Sequence, residues 1–162
     1  MGSEKPNYMD IIGIVNETNR PPGGVRSVVE AAQRTLLSAE DRVLEVGTST
    51  GFTAIDLNAE SLAEAERRAE ELDAGDNISF EREDATDLPY DEGTFDLVFV
   101  GNVTSYVGDT EAALAEYRRV LRAGGFLVAL PMYYERQPDD DLLADVREAI
   151  GTEIDVTTRE YW

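Results

Sequence analysis

The chain has 162 residues, a hydrophobic share of 42% and a formal net charge of −20, which predicts one globular domain with an acidic surface. This excess of acid disfavours nucleic acid and anionic membrane surfaces as partners, because both require a basic patch on the protein. The sequence contains no cysteine and no histidine, which excludes disulfides, thiolate chemistry and the commonest general base and metal ligand.

The acidic excess also predicts how the protein responds to salt. Only Lys5 among the 14 basic residues is a lysine, and the others are arginines. Repulsion among the acids destabilises the compact state at low salt, and a Debye length of about 3 Å in molar salt removes most of that repulsion. The composition resembles that of proteins from halophiles, so a halophilic archaeal source is expected. No apolar run reaches the roughly 18 residues of a membrane span and no signal pattern begins the chain, so a cytoplasmic location is expected.

The first 41 residues form an N-terminal segment ahead of the main α/β unit, which covers residues 42–162. An apolar stretch at 8–15 is followed by a polar segment rich in proline and glycine at 16–24, which is incompatible with a helix or strand interior. That segment is either a plain connector or a lid over a pocket. The spacing of Val28, Val29, Ala32 and Leu36 predicts an amphipathic helix over 25–37.

The stretch from residue 42 to residue 52 organises the rest of the chain. An apolar strand predicted at 42–46 ends in Gly47-Thr-Ser-Thr-Gly51, where two glycines let the backbone approach a ligand closely. Free N–H groups in such a turn suit an anionic or polar ligand group. The turn is not the six-residue G-x-G-x-x-G fingerprint, and an ordinary strand-to-helix turn remains an alternative interpretation.

The remaining chain alternates helices and strands. Helices are predicted at 59–72, 111–121 and 139–150, and buried or alternating strands at 77–82, 94–101 and 126–130. The glycines at 124–125 are interpreted as a helix C-cap, and the three aspartates at 139–141 favour a helix N-terminus. This alternation predicts a parallel sheet that binds ligands at the carboxyl ends of its strands, where Asp56, Asp84 and the loop after Val100 fall.

Five blocks of sequence together resemble the Rossmann-like class I S-adenosylmethionine-dependent methyltransferases. In order, the matching blocks are 43–51, 55–58 with 61–65, 84–90, 95–98 with 102–103, and 121–128. The resemblance implies an α/β three-layer sandwich with a mainly parallel sheet in the order 3-2-1-4-5. It also implies S-adenosyl-L-methionine as cofactor.

The resemblance assigns the first block to the methionine part of the cofactor. Gly47, Thr48, Ser49 and Gly51 would lie along the methionine and near the ribose. Glu45 would face the amino end of the cofactor or hold the loop.

The later blocks would bind the nucleoside. Asp56 would accept hydrogen bonds from both ribose hydroxyls, and Leu57 would pack on the adenine face. Asp84 would accept from the adenine amino group, with the backbone of Ala85 beside it, and Asn102 would border the methyl group. Taken singly, each acid is more readily interpreted as a strand-end or capping carboxylate, whereas the ordered set of blocks favours the binding role for Asp56 and Asp84.

The implied reaction is in-line displacement of a methyl group from a sulfonium to a small-molecule acceptor. The cofactor supplies the electrophile and the protein supplies orientation and a dry pocket, so no histidine base is required and no catalytic residue is assigned. Four tyrosines are candidates to line the acceptor side, and the alternative is that they pack in the core or at its rim. They are Tyr8, Tyr106, Tyr133 and Tyr134. Two alternatives remain, a nucleotide-dependent oxidoreductase, disfavoured by the five-residue turn, and a non-catalytic binding module that kept the fold.

Two departures from the family pattern favour the binding module. Gly51 and Asp56 are five positions apart, whereas a crossover between parallel strands normally needs a dozen residues or more. The first crossover helix and the closing C-terminal hairpin therefore look absent, and residues 157–162 resemble the start of a helix. We expect about five strands, one of them short, and an exposed sheet edge.

Overall fold

The computed structural model describes residues 25–38, 40–47, 53–71, 78–150 and 157–162. The proposed lid at 16–24 and the apolar stretch at 8–15 lie outside these ranges. The described helices are α1 (Val25–Thr35), α2 (Ala59–Glu71), α3 (Thr110–Val120) and α4 (Asp140–Ile150), with a short 3-10 helix at Val103–Tyr106. The described strands are β1 (Val43–Val46), β2 (Thr53–Ile55), β3 (Ser79–Glu81), β4 (Phe95–Val100) and β5 (Leu121–Ala129).

The strands form one parallel sheet in the order β3-β2-β1-β4-β5, as the resemblance implied. The centre of this sheet is fully covered, because every residue of β1 is buried and β4 is buried at every position except Asp96. Near-continuous apolar strands are typical of a parallel sheet with helices on both faces. The predicted α/β sandwich is therefore confirmed.

Strand register assigns the side chains to two opposite cores. Val43 on β1 lies beside Leu97 on β4, and both pack with Ala31 of α1. Leu44 lies beside Val98, and these pack on the other face in the larger core that contains Tyr117 and Val120 of α3. One face of the sheet is therefore covered by α3 and the opposite face by α1, so that the sheet is the middle layer of the sandwich.

Aspartates begin two of the helices by capping free backbone N–H groups. Asp109 accepts a hydrogen bond from the amide of Ala112 at the start of α3 (2.9 Å). Asp139 does the same for Leu142 at the start of α4 (2.8 Å). Both contacts satisfy amides that the helix itself leaves unpaired, so the predicted role of the aspartates at 139–141 is confirmed for Asp139.

The helix predicted over 25–37 is present as α1, but two of the four residues on its predicted apolar face are exposed. Val29 is 47% exposed and Leu36 is 85% exposed, whereas Ala31 and Thr35 are buried. The helix ends at Thr35 and Leu36 has a φ of +53°, so the helical spacing no longer applies at that position. Thr35 tolerates burial because its hydroxyl donates to the carbonyl of Ala31 (2.9 Å).

Strand β5 differs from prediction at its start and in its burial. It begins directly after α3, since Leu121 already has extended dihedrals (φ −78°, ψ 133°), so the glycines are not a helix C-cap. They lie in a bulge where the register advances from Leu121 to Phe126 on β5 but only from Phe95 to Leu97 on β4. Phe126 lies on this strand, whose one described neighbour in the sheet is β4, and it is 47% exposed.

The two departures led us to expect a short strand, an exposed sheet edge and a helix start at 157–162, and these expectations have different outcomes. β1 and β2 pair in parallel across a connection of only residues 47–52, and β2 is three residues long, so the expected short strand is confirmed. No described strand pairs with the outer side of β5, as expected for an exposed edge. The predicted helix start at 157–162 is wrong, because Thr158 forms a parallel bridge with Tyr134 and a turn follows.

Candidate functional site

The carboxyl ends of neighbouring strands are joined by backbone hydrogen bonds. The amide of Gly47, just after β1, donates to the carbonyl of Ile55 at the end of β2 (2.9 Å). The amide of Asp56 donates to the carbonyl of Glu81 at the end of β3 (3.4 Å). Three consecutive strand ends therefore place Gly47, Asp56 and Glu81 side by side at one edge of the sheet.

Gly47 is required by both conformation and space. Its φ is +78°, which disfavours an L side chain, and a Cβ built there would lie 2.6 Å from the Cβ of Val103. Val103 begins the 3-10 helix after β4, so this helix packs against Gly47 at the end of β1. The sequence predicted that this glycine lies in a turn after the strand, but no local pattern indicated that the side chain of Val103 would pack against it.

Asp56 leads from β2 into α2 through a polar turn. Its Oδ1 accepts from the amide of Asn58 (2.8 Å), and Asn58 Oδ1 in turn accepts from the amide of Glu60 (2.8 Å). Between them Leu57 is 59% exposed, and its carbonyl accepts from Arg82 Nε (2.9 Å). The turn therefore holds a carboxylate and an apolar side chain next to each other at the sheet edge.

Asp84 organises a second turn beyond β3. Its Oδ1 accepts from both the amide and the hydroxyl of Thr86 (2.8 Å each). Its carbonyl accepts from the amide of Asp87 (3.1 Å), and Ala85 between them is buried. Nearby, Tyr90 donates from its hydroxyl to Glu81 Oε2 (2.9 Å). Burial, and then the Glu81 carboxylate, raise the pKa of Tyr90, so its hydroxyl stays protonated and keeps donating.

Asn102 connects the loops after β4 and β5. Its Oδ1 accepts from the amide of Met132 (3.2 Å) and its Nδ2 donates to the hydroxyl of Tyr106 (3.3 Å). The hydroxyl of Ser105 reinforces this link, accepting from the Met132 amide (3.1 Å) and donating to its carbonyl (3.3 Å). Tyr133, which follows Met132 in the chain, is 44% exposed. Two of the predicted acceptor-side tyrosines thus follow the neighbouring strands, Tyr106 after β4 and Tyr133 after β5.

The predicted site residues thus fall into three groups. Gly47 and the turns after β2 and β3 adjoin through strand-end hydrogen bonds, and Asn102 lies on the loop that packs over Gly47. Glu45 is buried within β1, in register with Ala54 on one side and Phe99 on the other. Outside the described residues lie Thr48, Ser49, Gly51 and Tyr8.

Chemically, the described edge is rich in acceptors. Its side chains supply carboxylates from Asp56, Glu81 and Asp84 and an amide from Asn102, which suit a ligand with several hydroxyl or amino donors. Among the described residues no three side chains are grouped as a metal site would require. No described helix has the length and apolarity to cross a membrane.

Two structural relatives share this fold. The MccD protein is 27% identical, with a TM-score of 0.75 over 89% of this chain and 69% of that one. A geranyl diphosphate methyltransferase solved in complex with SAM is 22% identical, with a TM-score of 0.65 over 82% of this chain and 60% of that one. At that identity the second likeness concerns the fold alone.

Sequence comparison gives the family. An uncharacterized protein of Haemophilus influenzae is 26% identical over 96% of this chain and 67% of its own length. The ubiquinone/menaquinone biosynthesis C-methyltransferase UbiE of Agrobacterium fabrum is 37% identical over 55% of this chain and 35% of its own. The chain thus spans about a third to two thirds of the length of these relatives. A family model described as a methyltransferase domain matches residues 38–129, which is more than half of the chain, and the protein therefore belongs to the methyltransferase-domain family.

Proposed function

We propose that this protein binds S-adenosyl-L-methionine and transfers its methyl group to a small-molecule acceptor. The observation that carries the proposal is the hydrogen-bonded row of strand ends, in which Gly47 adjoins the end of β2 and Asp56 adjoins the end of β3. Ligands of open parallel sheets bind at this edge. Membership of the methyltransferase-domain family supports the same cofactor.

The described residues fit the nucleoside part of that cofactor. Asp56 offers a carboxylate to the two ribose hydroxyls, and the exposed side chain of Leu57 offers an apolar surface to a flat base. The turn at Asp84 and Ala85 offers acceptors to an exocyclic amino group. Gly47 supplies the left-handed turn at the end of β1, and Val103 fills the space that a side chain there would occupy.

When bound, the cofactor supplies an electrophilic methyl group on a sulfonium sulfur. The contribution of this chain is to hold the nucleoside in place and to orient an acceptor that already carries a lone pair. Asn102 would border the reacting groups, because it lies on the loop that covers Gly47 and is fixed by the Met132 amide. We assign no general base.

The acceptor proposed here is a small molecule. The exposed Met132 and Tyr133 follow β5 next to Asn102, and they would offer an apolar wall on the acceptor side. The net charge of −20 disfavours a phosphate backbone as substrate. A relative named for ubiquinone/menaquinone biosynthesis also suggests a small acceptor. A cytoplasmic location and a halophilic source stay predictions.

One structural feature favours a second candidate function, a binding module without catalysis. The connection between β1 and β2 comprises only residues 47–52, about half the dozen that a parallel crossover usually needs. Residues at this connection are those that the resemblance assigns to the methionine part. A domain shortened there would keep the nucleoside side and lose the orientation that methyl transfer requires.

Calorimetric titration with S-adenosylhomocysteine in about 2 M KCl, where repulsion among the acids is screened, tests the proposal. We expect binding by the wild type and at least about a tenfold loss for Asp56→Asn, because one ribose acceptor becomes a donor. This variant keeps an oxygen for the Asn58 amide, so its fold should survive. The matched control is Asp145→Asn, on the exposed surface of α4. An equal affinity for Asp56→Asn and wild type would contradict the assignment, and binding without methyl transfer to any acceptor would favour the module.

A further inference from the structure

The loop that carries Asp84 has no regular structure of its own. Residues 82–94 join β3 to β4 and must cross the sheet past β2 and β1, yet they contain neither helix nor strand. Local turns fix Asp84 relative to Asp87 but do not fix the turn relative to the sheet. The position of Asp84 therefore depends on what anchors this loop.

This loop is anchored by the buried side chains of Ala85 and Leu88, by the bond of Tyr90 to Glu81, and by a pair of charged side chains on α3. Arg119 donates from Nη2 to the carbonyl of Leu88 (2.8 Å) and from Nη1 to the carbonyl of Tyr90 (2.6 Å). Glu116 Oε2 accepts from the amide of Leu88 (2.8 Å). Both backbone polar groups of Leu88 are thus held from one helix. Further along, the amide of Gly93 donates to the backbone carbonyl of Arg119 (3.0 Å).

The two side chains also fix each other. Arg119 donates from Nε to Glu116 Oε1 (2.7 Å) and from Nη2 to Glu116 Oε2 (2.6 Å), which is a two-point contact between planar groups. Arg119, and then the Leu88 amide, hold the pKa of Glu116 below its usual 4.5, so the carboxylate is charged at neutral pH. The Glu116 side chain is 18% exposed and the Arg119 side chain 36%, so solvent screens the pair only in part.

Only an arginine can make this set of contacts. The guanidinium directs three of its nitrogens at Glu116, Leu88 and Tyr90 simultaneously, because its donors lie in one plane at fixed angles. A lysine ammonium is a point donor on a flexible stem and cannot span the two carbonyls in the same way. Arginine therefore specifies the path of the backbone from Leu88 to Tyr90.

Leu88, which the pair on α3 holds, is directly connected to the turn that carries Asp84. Asp87, whose amide bonds the Asp84 carbonyl, directly precedes Leu88. Ala85 and Leu88 are both buried in the core cluster that contains Tyr117 of α3. A shift at Leu88 would therefore move the Asp84–Ala85 turn as well.

We propose that Glu116 and Arg119 are positioning residues that set the selectivity of the cofactor site for the adenine base. This inference rests on the proposed function, in which Asp84 and Ala85 face that base. The pair does not touch the cofactor and acts through the backbone of Leu88. Loosening the pair lets the turn at Asp84 adopt other orientations, so discrimination between an amino group and an oxo group at the base is lost.

The experiment compares two ligands on the 162-residue chain in high salt. S-adenosylhomocysteine carries the amino group, and S-inosylhomocysteine carries an oxo group in its place. We expect the wild type to bind the first at least about tenfold more tightly, because one donor–acceptor pair is mismatched in the second. Arg119→Lys should reduce this ratio to near one, whereas Arg118→Lys, on the exposed neighbouring position of α3, should preserve it.

The ratio of affinities separates positioning from stability, because general destabilisation weakens both ligands equally. Should Arg119→Lys fail to fold, Glu116→Gln serves instead, since it keeps an oxygen for the Leu88 amide and removes the charge. A retained tenfold preference in these variants, or equal binding of the two ligands by the wild type, would overturn the inference alone. Failure of the wild type to bind S-adenosylhomocysteine at all would overturn the proposed function and this inference with it.

Discussion

Replacement of Gly47 by alanine should be among the most damaging single changes in the described part of the chain. The residue has a φ of +78°, and the new Cβ would lie 2.6 Å from Val103 Cβ, 3.0 Å from its Cγ2 and 3.3 Å from its Cγ1. Real Cβ atoms do not approach other carbons this closely, so either the turn or the 3-10 helix must move. Because both belong to the candidate site, the change should affect folding and ligand binding together.

The expected cost has two separable parts. An L residue in the left-handed region costs about 1–2 kcal/mol, and overpacking against Val103 adds about 1–3 kcal/mol. The sum is about 2–5 kcal/mol, a large share of the roughly 5–15 kcal/mol that stabilises a typical domain. Gly93→Ala is the matched control for the first part, because Gly93 has a φ of +72° and its nearest neighbour would be 3.7 Å from the new Cβ.

Urea unfolding in high salt, followed by circular dichroism, measures both parts. Gly93→Ala should lose only the backbone cost of about 1–2 kcal/mol. In a Val103→Gly background the three clashing atoms are gone, so Gly47→Ala should then cost no more than the control. The interaction energy between the two sites should be about 1–3 kcal/mol. Strictly additive costs, or a loss for Gly47→Ala as small as that of Gly93→Ala, would refute the reasoning.

Two further predictions concern charge. The Arg42 amide, 2.8 Å from Asp96 Oδ2, and then the Arg122 guanidinium hold the pKa of Asp96 below its usual 3.8. The charged Asp96 therefore stabilises the folded state above pH 3.8, and this stabilisation is lost as the pH falls through the lower pKa of Asp96 in the folded state. Asp96→Asn should therefore lower the free energy of unfolding by about 1 kcal/mol at pH 7, and this free energy should fall less steeply at acid pH than that of the wild type. Parallel curves of unfolding free energy against pH for the two proteins would contradict this. Raising KCl from about 0.1 to 2 M should raise the melting temperature by about 5 °C or more, because the chain carries a net charge of −20; an unchanged value would refute salt adaptation.

The central strands could be predicted from sequence because their burial follows from their own composition. The apolar run 94–101 corresponds to β4, and the run 42–46 corresponds to β1, each within a residue or so. The run 126–130 is equally apolar but lies on the outermost strand, where half of the Phe126 side chain is exposed. Burial of a strand's side chains depends on what packs on the two faces of the sheet, and those neighbours are set by the whole fold and not by the strand's own residues.

The candidate site was predictable to the extent that it follows strand ends. Asp56 and Asp84 were identified because acids after apolar runs mark the carboxyl edge of a parallel sheet. Glu116 and Arg119 were not, because their partners Leu88 and Tyr90 lie 28 to 31 positions away and no local pattern reports such a contact. On their own helix these two residues resemble an ordinary i,i+3 ion pair on a solvated face.

No described strand pairs with the outer side of β5, and this predicts two opposing effects of salt on the protein. The strand contains no acid, lysine or proline, so apart from Arg122 it carries none of the charges that normally keep edge strands apart. At low ionic strength the 34 acidic residues of each molecule hold neighbours at a distance. If concentrated salt stabilises the fold as predicted, it also screens that long-range repulsion. We therefore expect the conditions that stabilise each molecule to bring exposed edge residues such as Phe126 and Leu127 of neighbouring molecules closer together.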